Sequence, residues 1–176
     1  ADLFDEDTAY VALDNHKYGD YKPYLLKSTN RGRTWREMTG DLDERNLVWR
    51  VVQDHENPNL LFTATEFGLF FTLDGGEKWV ELTGDAPTIA FRDVTIQRRE
   101  NDLVAASFGR GFFIVDDISP LRTLSEDSLE EEALLFPVLT AHWYIEQPSL
   151  AFSEGGSQGH GYYRAPNPPF GANFTY

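Results

Sequence analysis

"YLLKSTNRGRTWREMTGDL" spans residues 24–42, and "GLFFTLDGGEKWVELTGDA" spans residues 68–86. Laid over one another they match at Ser28 and Thr72, Asn30 and Asp74, Gly32 and Gly76, Trp35 and Trp79, and through Thr39-Gly40-Asp41 and Thr83-Gly84-Asp85. The offset is 44 residues throughout. A weaker third copy, "GRGFFIVDDISPL" (109–121), sets Gly111 and Asp117 43 residues beyond Gly68 and Asp74 but lacks the tryptophan. Upstream of the second and third copies, "LLFTATEFGLFF" (60–71) repeats as "LVAASFGRGFFI" (103–114). A period of this length marks a unit that recurs, and its local pattern decides which one.

That pattern is strand-like. Short runs such as "VWRVVQD", "LLFTAT", "GLFFTL" and "KWVELT" are rich in β-branched and aromatic residues and are bounded by Gly, Asn, Asp and Pro. No stretch before residue 124 keeps a helical period. Four short strands in about 44 residues is the period of a propeller blade, so the sequence predicts an all-β partial β-propeller of about three four-stranded antiparallel blades. The first blade lacks an obvious innermost strand. "TLDGGEKW" (72–79) then reads as the hairpin between the third and fourth strands. Asp74 accepts backbone N–H groups of the turn, Gly75 and Gly76 supply positive φ, and Trp79 packs beneath. Asn30 stands where Asp74 stands and can make similar local bonds, so the repeated acid is a folding device rather than a catalytic group. Both Trp35 and Trp79 are expected to be buried beside their hairpins.

"S-x-N-x-G-x-T-W" (28–35) and "T-x-D-x-G-x-K-W" (72–79) resemble the Asp-box, or bacterial neuraminidase repeat, S/T-x-D-x-G-x-T-W. The longer stretches "NPNLLFTATEFGLFFTLDGGEKW" and "FGRGFFIVDDISPL" are similar to large bacterial secreted proteins of the sortilin-like or glycosyl-hydrolase type. "YRAPNPPFGANFTY" (163–176) resembles the start of the all-β domain that follows the propeller there. The departures are Asn30 for Asp, Lys78 for Thr, and the missing third box. The resemblance implies an extracellular or periplasmic setting. It also implies either a binding or scaffold module for a glycan, polymer or peptide, or part of a glycoside hydrolase of the sialidase or xyloglucan-hydrolase kind.

Composition narrows the partners. The chain has 176 residues, 41% of them hydrophobic, and a formal charge of −14. That charge argues against nucleic acid and against anionic membrane surfaces. No apolar run approaches the roughly 18 residues of a membrane span. There is no cysteine, so disulfides and thiolate chemistry are excluded. A first residue of Ala1 and a last residue, Tyr176, inside a strand-like run read as a piece of a longer polypeptide. Three blades cannot close a ring, so the partners expected are further blades, or self-association through open blade edges.

Along the chain, residues 1–124 are assigned to the blades. "SEDSLEEEALLF" (125–136), with a serine cap and early acids, reads as a short helix within a linker over 125–140. Residues 141–176 hold a short strand, a Gly- and Pro-rich loop, and the start of the following domain.

Glycoside hydrolysis needs two flanking carboxylates. The acids at strand ends of the kind propellers use for binding are Glu66 and Asp93. Glu66 has no acidic counterpart in the third copy, where Ser107 precedes Phe108-Gly109. Arg92, Arg110 and Arg50 could take carboxylates or sulfates in forked geometry, although ordinary ion pairing explains arginines in so acidic a chain. The candidate ligand-binding residues are therefore Glu66, Arg92, Asp93 and Arg110. No catalytic residue is assigned and no cofactor is called. His16, His55, His142 and His160 lack ligand spacing, so no metal site is called either. "GRG" and "GGSQGHG" lack the strand and helix context of a phosphate loop. The tryptophans and tyrosines belong by default to the core between sheets.

Overall fold

The computed structural model describes residues 1–141, 143, 145 and 170–176. The chain divides into two units, 1–130 and 131–176. The first is an all-β partial propeller of three successive antiparallel sheets. β1 (Ala9–Asn15), β2 (Asp20–Ser28) and β3 (Arg36–Glu37) form one sheet. β4 (Val48–Gln53), β5 (Leu61–Thr65), β6 (Gly68–Thr72) and β7 (Val80–Glu81) form the next. β8 (Phe91–Gln97), β9 (Asp102–Ser107) and β10 (Phe112–Val115) form the third. Every pairing joins chain neighbours. The middle sheet has the four strands that the repeat predicts. The first sheet lacks the strand inside β1, as the sequence suggests, and the third lacks one outside β10, where the last copy has lost its tryptophan hairpin.

The middle sheet is covered on both faces, which is why "LFTAT" in β5 is buried at every position instead of alternating. Phe62, Ala64, Leu69 and Phe71 pack with Phe91, Val94, Leu103 and Ala105 of the third sheet. Leu61 and Val48 face the other way, with Leu25, Met38, Leu42 and Trp79. Each fully buried Leu or Phe contributes on the order of 2 kcal/mol. The threonines of β5 avoid an unpaired hydroxyl: Thr63 donates to the Arg50 carbonyl at 2.9 Å and Thr65 to the Gly68 carbonyl at 2.9 Å.

Between β6 and β7 the hairpin folds around one oxygen. Asp74 Oδ1 accepts the Thr72 hydroxyl at 2.6 Å and the N–H groups of Gly76, Glu77 and Lys78 at 3.2, 2.8 and 3.1 Å. Gly75 and Gly76 take φ of 74° and 102°. In the first copy Asn30 Oδ1 accepts the Ser28 hydroxyl at 3.1 Å and the Thr34 N–H at 2.9 Å, so the amide reproduces part of the set. The hairpin also docks on the preceding repeat. Trp79 Nε1 donates to the Met38 carbonyl at 3.0 Å and the Trp79 N–H donates to Asp41 at 2.7 Å. This docking explains why the box and the Thr-Gly-Asp triplet recur together.

Trp79 is accordingly 5% exposed, but Trp35 is 42% exposed, against the expectation that both are buried. A blade tryptophan is covered by the Met38–Asp41 segment of the repeat before it. No such repeat precedes the first within the described residues, so Trp35 has nothing to lie under.

The 125–136 helix is shorter than predicted. α2 covers Glu126–Leu129, with Ser125 as its cap, and Leu135 beyond it is exposed. Without a buried apolar face a helix of this length gains little from extension. An unpredicted turn of helix, α1 (Ser119–Thr123), precedes it. In the second unit the described residues form no strand, so the strand-like reading around Tyr176 is not upheld. The Phe136 N–H donates to the Thr175 carbonyl at 3.0 Å. Most of the expected Gly- and Pro-rich loop, and the start of "YRAPNPPF", lie outside the described residues.

Candidate functional site

β4 and β8 are the innermost strands of their sheets, and each opens with a bulge. In β4, Val48 pairs with Thr65 and Arg50 with Ala64, leaving Trp49 as the extra residue. In β8, Phe91 pairs with Ser107 and Asp93 with Ala106, leaving Arg92. A bulge swings its extra side chain out of the pleat, and here it does so at equivalent places in adjacent blades. The next turn of each blade reaches the same end of the sheets. The Glu66 N–H donates to the Leu47 carbonyl at 2.9 Å, and the Phe108 N–H to the Ala90 carbonyl at 2.8 Å. The structural counterpart of Glu66 is therefore Phe108, not Ser107, and it is still not an acid.

These four residues meet. The Arg92 guanidinium lies 3.7 Å from the Trp49 ring centre and 5.0 Å from that of Phe108, a cation held between two π faces. Trp49 Nε1 donates to Glu66 Oε2 at 3.0 Å, and Arg92 Nη2 stands 3.8 Å from the same oxygen. His16, in the turn between β1 and β2, meets the Trp49 ring edge-on at 5.5 Å and pairs with Asp14. Trp49 is thus flanked by Arg92 over its ring and by His16, whereas Phe108 is 71% exposed. The cluster presents an open aromatic ring, a guanidinium edge and an ordered carboxylate side by side.

Of the residues predicted from sequence, Glu66 and Arg92 come together in this cluster. Asp93 lies beside it in a separate pair, 3.4 Å from Arg50 Nε, and also accepts the Val94 N–H. Arg110 sits in the β9–β10 turn, with its N–H on the Ser107 hydroxyl at 3.2 Å and no ion-pair partner among the described residues. The sequence by itself does not point to Trp49, Phe108 or His16 in this role. The available signal was the recurrence of "VWR" and "FRD" 43 residues apart, at strand starts of adjacent repeats.

Glu66 and Asp93 are each held by an arginine, an arrangement suited to accepting hydroxyl groups. No group of three or more metal-ligating side chains occurs among the described residues. No helix among them is long and apolar enough to cross a membrane. A second charged cluster lies elsewhere in the unit. Arg122 of α1 forks onto fully buried Asp54 with two bonds of 2.9 Å, and also meets Glu56 and Asn101 at 2.9 Å. It fastens α1 to the middle blade.

No family model matches the chain, and no curated protein matches it. Among solved structures it is similar to an ancestral GH74 enzyme, with 25% identity and a TM-score of 0.50. The match covers 61% of this chain and 13% of that one, so the chain spans a small part of its neighbour's length.

Proposed function

We propose that this chain is a piece of an Asp-box propeller of the sortilin-like or glycosyl-hydrolase-type secreted proteins, and that it serves as a glycan-binding or scaffold module outside the cytoplasm. The observation that carries the reading is the Phe108–Arg92–Trp49 stack with Glu66 held by the indole Nε1 at its edge. An exposed ring offers an apolar face to the C–H side of a sugar, and the paired guanidinium and carboxylate offer a donor and an acceptor to its hydroxyls. Asp93 and Arg110 extend that polar rim. Because Arg92 and Arg50 are matched by Glu66 and Asp93, and the whole chain is acidic, the fitting ligand is a neutral glycan rather than an acidic one.

The alternative is a glycoside hydrolase part, favoured by the likeness to a GH74 enzyme. Such a role requires a second carboxylate across the sugar from Glu66 and one acid kept protonated. Among the described acids at this site, each already faces an arginine, which favours the binding reading.

The test is affinity electrophoresis of the chain in gels containing neutral β-glucans or xyloglucan. Retardation is expected, with a tenfold or greater loss in Phe108→Ala and in Arg92→Ala at unchanged thermal unfolding. Migration that no neutral polysaccharide alters would reject the binding role, and release of reducing sugar that Glu66→Gln abolishes would favour the hydrolase.

A further inference from the structure

Asn46, in the segment that leads into β4, is 3% exposed and holds an incomplete set of hydrogen bonds. Its Oδ1 accepts the Phe67 N–H at 3.2 Å, which fixes the orientation of the amide. The two Nδ2 hydrogens meet no acceptor among the described residues, and the atom is not sealed inside the protein. Asn46 lines a cleft of about 660 Å³ beside the β5–β6 turn. A buried amide with both donors left over is satisfied only by what enters that cleft.

The rest of the lining says what fits. Asp43, Glu44 and Glu81 stand there against a single cation, Arg45. None of these four charges forms an ion pair among the described residues, whereas Glu66 and Asp93 are each held by an arginine. Glu81 is brought in next to the turn. A Cβ at Gly68 would stand 3.2 Å from Glu81 Oε1, so the glycine that follows Phe67 makes room for the carboxylate. The acids do not converge as a metal-ligating group, and the excess of unpaired carboxylates in a concave site favours an organic cation. Phe67, 47% exposed on the same wall, adds an open ring whose face suits either an ammonium or the C–H side of a pyranose.

We infer that this cleft is a second ligand site, and that its ligand is an amino sugar, a hexosamine residue with a free, protonated amine. The ammonium meets the carboxylates, the ring lies on Phe67, and a hydroxyl oxygen accepts from Asn46 Nδ2. A neutral sugar leaves the charge unmet, and an acidic one is repelled. A lysine side chain meets the charge, but its stem carries no acceptor for Asn46. The inference uses none of the side chains of the Phe108–Arg92–Trp49 stack, so failure of either reading leaves the other standing.

The probe is the β-1,4-linked glucosamine disaccharide, added to the ¹⁵N-labelled chain at about pH 6, where an alkyl amine is charged. Saturable amide shifts are expected at Asn46, Phe67 and Gly68. Cellobiose and the N,N′-diacetylated disaccharide, equal in backbone but uncharged, are expected to bind at least about tenfold more weakly. Phe67→Ala and Glu81→Gln each change an exposed side chain and are expected to weaken binding at least about tenfold at unchanged thermal unfolding. Glu131→Gln, which removes the same charge from the second unit, is expected to leave it unaltered. The inference is overturned if the disaccharide does not bind, if its uncharged counterparts bind as well, or if Glu131→Gln weakens it as much as Glu81→Gln, since general attraction to an acidic chain then accounts for the shifts. It is equally overturned if a lysine dipeptide occupies the cleft with the same affinity, because the ligand is then a basic peptide.

Discussion

Gly40 in the first repeat lies against the Glu77 carbonyl in the second so closely that a Cβ at Gly40 would stand 2.3 Å from that oxygen. This contact joins one repeat's Thr-Gly-Asp triplet to the next repeat's hairpin, and both partners are backbone. Gly84, the same position one repeat later, has no atom within 4 Å of its would-be Cβ, because the third copy lacks the hairpin that would dock there. Both glycines have positive φ, 50° and 93°, so each pays strain on substitution. Gly84→Ala is expected to cost about 1–2 kcal/mol from strain alone, and Gly40→Ala at least about 2 kcal/mol more, since the sheets must separate. Urea unfolding of the two variants measures the difference, and equal losses would refute the docking account.

The two tryptophans extend the same comparison. Trp79→Ala removes a buried ring and its bond to the Met38 carbonyl, and is expected to cost about 3–5 kcal/mol. Trp35→Ala is expected to cost under about 1 kcal/mol, because that ring is half in solvent. Matched denaturant curves on this chain, with equal slopes, give both values. A large loss at Trp35 would mean that it is covered by something outside the described residues.

What the sequence made legible was the part governed by local rules repeated in register. The 44-residue offset pointed to the blades, the hairpin and the burial of Trp79, because a turn's chemistry recurs wherever the turn does. The exposure of Trp35 was not legible, since it depends on a neighbouring repeat and not on the box itself. The site was half legible. Glu66 and Arg92 stood out as charges at strand ends, but their meeting with Trp49 and Phe108 depends on two bulges, and a one-residue shift leaves no mark in a single copy. The pairing of Asp54 with Arg122 joins residues far apart in the chain across a turn of helix that no periodicity announces.

That buried pair is the most exacting electrostatic contact in the blades. The Asp54 side chain is fully buried and Arg122 is 9% exposed, so removing the cation strands a carboxylate away from water. Arg122→Ala is expected to cost about 3–5 kcal/mol, and Arg122→Lys less, because an ammonium can meet one oxygen but not fork onto two. Thermal unfolding with a hydrogen-exchange readout is the check. Early loss of protection in α1, at lower temperature than in β5, is expected in Arg122→Ala. A variant as stable as the parent would show that the pair has no net role in holding α1.

Acid should expose the hairpin's dependence on Asp74. Partial desolvation pushes this carboxyl upward, but the Thr72 hydroxyl and the N–H groups of Lys78, Glu77 and Gly76 outweigh it and hold the carboxyl below its usual range. A carboxyl depressed in the folded state contributes stability that is present above the unfolded value, near pH 4, and is lost as pH falls through the folded value. Asp54 adds in the same direction: burial raises its carboxyl, and Arg122 with the Asn57 and Glu56 N–H groups lowers it further. The chain is therefore expected to lose stability steadily from about pH 5 downward. In Asp74→Asn the amide oxygen keeps the single acceptor position that all four bonds use, as Asn30 does in part in the first repeat. The loss at pH 7 should be about 1 kcal/mol or less. Below pH 4 the gap should close, because the parent then loses its carboxylate while the variant has none to lose. Urea midpoints measured from pH 7 to pH 3 for both proteins decide it. Parallel curves, with the gap unchanged at pH 3, would show that the Asp74 carboxylate is not what the hairpin depends on.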